Sequence, residues 1–252
     1  MNSFIAWIGG KRILAKTIIS MMPKHHCYVE VFGGAGWVLF RKKPSEVEVW
    51  NDLNSDLVNL FRVVRNKLHV FKKRQYFLLS SREEYQSFQK ALKSGKFKDD
   101  IDRAIAFYYC VRNSFGSGIF TGFAFSPTGC PRYCSGFERL DDARERLIGN
   151  YDRKDTLFYC DPPYMVCLEK PGGKHYYQYT FTEADHIRLR DILRNISGRF
   201  ILSYDDHPEV RKLYGKCNIR VTEPVLYSMN NRQGATARRV GELIITNFKT
   251  QK

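Results

Sequence analysis

The chain has 252 residues, 43% hydrophobic and 27% charged, a balance that fits one large or two small globular domains and excludes disordered, collagenous and coiled-coil chains. Lysine and arginine number 41 against 26 acids, so the net charge is +15 and the pI lies near 9.5. That excess favours a polyanionic partner, nucleic acid first, over a membrane surface, because no basic amphipathic helix accompanies it. No apolar run reaches the roughly 18 residues of a membrane span, and MNSFIAWIGGKR lacks the form of a signal peptide. Seven scattered cysteines make no disulfide framework. A reducing cytoplasm is therefore expected, with no membrane and no metal as partners.

In chain order, CYVEVF (27–32) reads as a buried strand that stops at Gly33-Gly34-Ala35-Gly36, and WVLFRKK follows as a helix. EVEVW (46–50) alternates and ends in Asn51-Asp52, after which Leu57, Leu60, Phe61 and Val64 recur at helical spacing. Strand, glycine loop, helix, strand, acid, helix is the opening of a doubly wound α/β domain. From about 55 to 150 the character is helical, with a capping-box pattern at Ser81 and Glu84 and an amphipathic helix marked by Ile101, Ala104, Ile105 and Tyr108. RNSFGSGIFTGFAFSPTGCPRY (112–133), rich in glycine and aromatics, suits a hairpin or binding loop. Strand signals return in TLFYC (156–160), RFILSY (199–204), IRVTEPVLYS (219–228) and VGELIITNF (240–248), the last two expected to form an antiparallel edge pair. Between the first two of these, Thr182 and Asp185 open a helix carrying Ile187, Leu189, Ile192 and Leu193.

Glycines at 33, 34 and 36 let backbone approach a ligand closely, yet the run lacks the third glycine of G-x-G-x-x-G, and Gly9-Gly10-Lys11 is not a Walker A loop. A nucleoside fits better than a dinucleotide or a triphosphate. Asp52, at the end of the second strand, is placed to accept hydrogen bonds from ribose hydroxyls, with a helix N-cap as the alternative. Cys130 and Cys134 stand four apart without a second Cys/His pair at zinc spacing, and neither His25 nor His26 belongs to a metal motif.

Asp161-Pro162-Pro163-Tyr164 follows TLFYC directly, so it sits at the carboxyl end of a strand, where open α/β sheets bind ligands. The prolines stiffen the turn and remove donors, leaving carbonyls and the Asp161 carboxylate as an acceptor-rich clamp for an amino group. Holding both N–H groups of an exocyclic base amine on Asp161 and the Pro162 carbonyl would aim its nitrogen lone pair at an electrophile, while Tyr164 offers a face for a flipped-out base. A structural turn with an incidental tyrosine is the alternative.

With these motifs in this order the chain resembles the Dam-like DNA adenine methyltransferases, which transfer the methyl of S-adenosylmethionine to adenine N6. FIAWIGGK (4–11) resembles the family's amino-terminal cofactor motif, VEVFGGAG (29–36) its glycine motif, NDLNSDL (51–57) its ribose motif, DPPY (161–164) its catalytic motif and FTEADHIRL (181–189) the segment downstream. The resemblance implies a Rossmann-like class I methyltransferase sheet, built from 1–54 and 151–252, with a mainly helical DNA-recognition domain inserted at 55–150. It further implies that Trp7, Gly10, Lys11, Phe32, Gly33 and Gly34 hold the cofactor, with Lys11 meeting its carboxylate. Asp52 would bind the ribose, and Asp161 would lie between cofactor and target amine. Transfer would be direct and in line, with no covalent enzyme intermediate, and Asp rather than Ser at 161 leans towards adenine over cytosine N4. An RNA exocyclic-amine methyltransferase and a non-catalytic DNA-binding relative are the alternatives.

For double-stranded DNA, Lys72, Lys73 and Arg74 are candidate phosphate contacts, although such a run also suits a solvated face. Arg112, Asn113, Ser114 and the loop to Arg132 are candidates for base recognition. RNSFGSGIFTGFAF departs from the asparagine/arginine- and glycine-rich stretch of members that read GATC, so that recognition sequence is not implied. MVCLEKPGGKHYYQYT (165–180) is a candidate lid. DNA binding would make the protein nucleoid-associated, and a cognate restriction endonuclease is a candidate partner that activity would not require.

Overall fold

Six strands form one sheet in the computed structural model, which describes residues 1–124, 156–165, 181–226 and 239–250. They are β1 (Cys27–Glu30), β2 (Val47–Trp50), β3 (Thr156–Cys160), β4 (Arg199–Asp205), β5 (Asn218–Val221) and β8 (Glu242–Thr246), in the spatial order β2-β1-β3-β4-β8-β5. The first four are mutually parallel, and β8 runs antiparallel to both β4 and β5. Parallel neighbours need crossovers, and the helical segments after β1 and β3 supply them. The expected antiparallel pair is present, with one difference: β8 inserts between β4 and β5, so of the pair only β5 lies at an edge. The expected strand over 219–228 divides into β5 and β6 (Val225–Leu226), the latter pairing with β7 (Arg239–Val240) in a separate ribbon. Pro224, which has no N–H for a ladder, lies at the break.

The helices are α1 (Ala15–Ser20), α2 (Trp37–Arg41), α3 (Ser55–Gln75), α4 (Arg82–Ser94), α5 (Asp100–Arg112), α6 (Glu183–Asn195) and α7 (Pro208–Leu213). By internal packing the chain divides into two compact units, one of Met1–Lys11, Gly34–Lys43 and Asp52–Gly149, the other of Arg12–Gly33, Pro44–Asn51 and Asn150–Lys252. The sheet lies wholly in the second.

In the sheet unit, Leu189 and Leu193 of α6 bury against Phe200, Leu202, Tyr204, Leu243 and Ile245. Thr182 and Asp185 form the full reciprocal capping box, Thr182 N donating to Asp185 at 2.9 Å. The apolar face of α6 is narrower than its sequence suggests: His186 is buried, whereas Ile187 and Ile192 are 39% and 53% exposed. In the helical unit, α5 is buried on nearly every side from Ala104 to Val111, as a central helix packed by α3 and α4 must be. Ser81 caps α4 by accepting from Glu84 N at 3.0 Å, but its own N–H goes to the Tyr109 hydroxyl, so the expected box is only half formed. Helix α3 continues through the basic run, with non-helical backbone at Lys67.

Candidate active site

The carboxyl end of β3 delivers Asp161 into a fixed environment. Asp161 Oδ1 accepts from Ser203 Oγ at 2.8 Å, and Ser203 on β4 also lies 3.1 Å from the Tyr159 hydroxyl. Pairing of Cys160 with Leu202 sets this register, bringing the start of the tetrapeptide beside Ser203. Pro162 is buried, Asp161 and Pro163 are half-buried, and Tyr164 packs its ring beside Tyr204 with centroids 6.0 Å apart. The Tyr164 hydroxyl donates to Glu242 Oε2 at 2.7 Å. Burial, with the nearby Asp161 and Glu242 carboxylates, pushes the Tyr164 phenol well above its ordinary value, so it remains a donor. Behind it, the Tyr204 hydroxyl bonds His186 Nδ1, and burial lowers the His186 imidazole to about 4. Burial pushes the neighbouring Cys160 thiol up to about 12, an unreactive state.

Two further predicted residues stand in the sheet unit. Phe32 sets its ring edge-on to Phe181 at 5.7 Å. Gly33 donates to the Asn51 carbonyl at 2.7 Å, and a Cβ there would fall 2.0 Å from Trp50 Nε1. The missing side chain at Gly33 therefore makes room for the Trp50 indole, a use that the motif alone does not reveal.

The helical unit gathers another predicted group. Gly34, at φ +48°, donates its N–H to Asp52 Oδ2 at 2.7 Å, and Asp52 Oδ1 accepts from Asn54 N at 2.8 Å. Burial raises the Asp52 carboxyl above its ordinary value, with N–H bonds from Asn54, Gly34 and Leu53 opposing the rise. The cap of α3 is Asn54, which accepts from Asp56 N and Leu57 N, so the N-cap reading of Asp52 falls away. Trp7 lies against Gly34, where a Cβ would come within 3.0 Å of its ring, and faces Phe107 at 5.8 Å. Gly10 N donates to the Trp7 carbonyl at 3.1 Å, and Lys11, buried, donates to the Gly9 carbonyl at 3.1 Å. Trp7, Gly10, Gly34 and Asp52 thus form one connected group.

Of the residues read as DNA contacts, Lys73 is exposed and Lys72 half-buried in the last turn of α3. Arg74 bridges Asp99 at 2.8 Å and Asp102 at 2.7 Å. Arg112 ends α5 half-buried; Asn113 and Ser114 are buried, their side chains donating to the carbonyls of Tyr109 and Val111. Arg132, the Cys130/Cys134 pair and positions 166–180 of the candidate lid lie outside the described residues. Sequence reasoning passed over Ser203, Glu242, Trp50 and the buried Glu30; a lone acid opening the apolar run of β8 was the one available signal for Glu242. Among the described residues no helix is long and apolar enough to cross a membrane, and no three His, Cys, Asp or Glu side chains are grouped to hold a metal ion.

In an open, mainly parallel sheet ligands bind at the carboxyl ends of the strands, where the Asp161 turn lies, and the mixed α/β chain with its six-stranded sheet is consistent with a methyltransferase fold. A model of the D12 class N6 adenine-specific DNA methyltransferases matches residues 7–119 and 142–227. The chain belongs to that family, and is a site-specific DNA methyltransferase acting on adenine N6. It is similar to the type II methyltransferase M1.LlaDCHI of Lactococcus lactis subsp. cremoris, with 25% identity over 98% of this chain and 96% of the relative. To the DNA adenine methylase of Escherichia coli K12 it is 26% identical, over 96% and 94% of the two chains. A DNA N-6-adenine-methyltransferase of Escherichia phage P1 is 24% identical over 89% of this chain, which spans 32% of that longer protein.

Proposed function

We propose that the protein methylates adenine N6 within a short specific sequence of double-stranded DNA, using S-adenosylmethionine and a base flipped out of the duplex. The observation that carries the reading is the DPPY turn at the end of β3, with Asp161 oriented by Ser203. Asp161 and the Pro162 carbonyl accept hydrogen bonds from the two N6 hydrogens, one of which leaves as a proton once the nitrogen has gained the methyl group, and Tyr164 supplies the stacking face. The amine is itself the nucleophile, so the reaction requires no thiol.

The residues present suit the cofactor. Lys11 is buried with its amino group held at the Gly9 carbonyl, and a lysine head group, with three donors, is of a type that binds a carboxylate. Asp52 is only half-buried, and a carboxylate has about four acceptor positions, so the three N–H groups already acting on it leave capacity for a ribose hydroxyl. Trp7, Gly10 and Gly34 adjoin this acid and base, and Phe32 and Gly33 continue the glycine motif. When bound, the cofactor supplies an electrophilic methyl group; the chain's own residues bind it, orient the amine and exclude water.

In this reading the sheet is Rossmann-like, the 55–150 stretch is an inserted recognition domain, and Lys72 and Lys73 lie along the phosphates, with Arg74, held by Asp99 and Asp102, the weaker contact. Arg112 and Arg132 contact DNA, while Asn113 and Ser114, candidates for base recognition in the sequence, are buried and bonded back to Tyr109 and Val111, so they brace the end of α5 instead. The protein works in the cytoplasm, nucleoid-associated through its DNA, and a cognate restriction endonuclease is a partner it does not require. Equilibrium binding tests the assignment: Lys11→Ala and Asp52→Ala should each weaken S-adenosylmethionine at least tenfold, while Asp161→Ala keeps DNA affinity. Unchanged cofactor affinity in both of the first two variants would refute the cofactor assignment.

A further inference from the structure

Glu242 is a carboxylate with 1% exposure, set in the sheet among the apolar residues of β8, a costly location for a charge unless something requires it. Its backbone is clamped: Glu242 N donates to Thr222 Oγ1 at 2.9 Å, and its carbonyl accepts from Thr222 N at 2.8 Å. Register places it opposite Asp205 at the end of β4, one residue beyond the buried Tyr204. From that fixed point Oε2 accepts the Tyr164 hydroxyl at 2.7 Å, joining residues 78 apart in the chain. The Tyr164 ring is therefore constrained twice, by its hydroxyl at Glu242 and by its face beside Tyr204 at an interplanar angle of 34°.

We propose that Glu242 is a positioning residue for methyl transfer, holding the Tyr164 ring at the angle at which the target base stacks. The inference rests on the stacking role assigned to Tyr164 above. A ring tethered through a proton on its hydroxyl cannot swing about its own Cα–Cβ bond without breaking a charge-assisted hydrogen bond in a buried setting, where such bonds are strong. A platform fixed before the base arrives needs no ordering at the moment of reaction.

The test is a double-mutant cycle on kcat and KM with unmethylated genomic DNA, with cofactor affinity and thermal melting measured alongside. Tyr164→Phe and Glu242→Ala should each lower kcat about 10- to 100-fold with KM for cofactor unchanged. The double variant should be no worse than the poorer single one. Glu242→Gln, which keeps an acceptor oxygen, should stay within a few-fold of the parent. A purely structural role would lower the melting temperature and leave the two losses multiplying; that result, or parental kcat in a folded Glu242→Ala, overturns the inference. If Glu242→Ala does not fold, Tyr164→Phe breaks the same bond from its other end, and parental kcat there overturns it too. Tyr164→Ala separates the two levels: if it is fully active the stacking role itself fails, whereas if it is impaired while Tyr164→Phe and Glu242→Ala are not, only the Glu242 inference fails.

Discussion

Around β3 the polar side chains converge: Ser203 on the adjacent β4 points at Asp161, and Glu242 on β8, one strand further on, receives Tyr164. In the helical stretch from α3 to α5 two arginines instead pair with acids of the same stretch. Arg74 spans Asp99 and Asp102, Arg103 bonds Asp56 at 2.7 Å, and the polar Asn113 and Ser114 fold back onto their own helix. One region holds its polar groups in a rigid frame. The other uses part of its charge to tie helices together, so a basic residue there is not automatically a DNA contact, and exposed cations such as Lys73 contribute to the excess of +15.

The contrast can be broken at its strongest point first. Asp161→Ala should reduce methyl transfer by at least about 100- to 1000-fold, as for loss of a group that acts on the reacting centre, with DNA retention in a mobility-shift assay unchanged. A loss of DNA binding equal to the loss of turnover would mean that Asp161 is not confined to chemistry.

Gly33→Ala probes the frame rather than the chemistry. Its Cβ would meet the Trp50 indole 2.0 Å away, so an overpacking cost of about 1–3 kcal/mol is expected in chemical denaturation. Gly95→Ala is the control: φ is +66° with nothing within 4 Å of the added atom, so the cost should be the backbone's alone, about 1–2 kcal/mol. If a simultaneous Trp50→Ala recovers none of the Gly33→Ala loss, the packing explanation is wrong.

The charge side of the comparison is sharpened by salt dependence. Lys73→Ala should reduce the slope of log affinity against log salt by about 0.9, the value for one lost phosphate contact. Arg74→Ala, whose guanidinium is already held by two acids, should change it less. Equal changes would place Arg74 on the DNA despite its partners.

The smallest effect concerns acid. His186 is held neutral in the folded state, its imidazole lowered by burial to about 4 against an unfolded value of about 6.5. Its contribution to stability is therefore complete above the unfolded value and is lost as the pH falls towards 4. Denaturation midpoints should decline over that window more steeply in the parent than in His186→Gln, and identical pH profiles would remove His186 as a cause.

What was legible in the sequence follows from distance along the chain. TLFYC coincides with β3 because a β-branched threonine and four apolar or aromatic residues end at an Asp-Pro-Pro turn, and the Thr182–Asp185 box formed because its partners are three residues apart. The second strand, the glycine loop and Asp52 were readable for the same reason. Hidden were the features made by distant segments: β8 inserting between β4 and β5, Trp50 occupying the space at Gly33, and Glu242 meeting Tyr164. The face of α6 was misjudged because its buried stripe includes a histidine, whose partner Tyr204 lies on another element. Among the cations, only the folded chain distinguishes Arg74, with two acids from around α5, from Lys73 beside it.

The central claim is that the strand-end tetrapeptide carries adenine methylation, and transfer of labelled methyl from S-adenosylmethionine tests it most directly. Unmethylated genomic DNA and RNA would be offered separately to the parent and to Asp161→Ala, with nucleosides analysed afterwards. The account predicts N6-methyladenine in DNA from the parent, none from the variant and none in RNA. Label confined to RNA, or undiminished N6-methyladenine from Asp161→Ala, would contradict it.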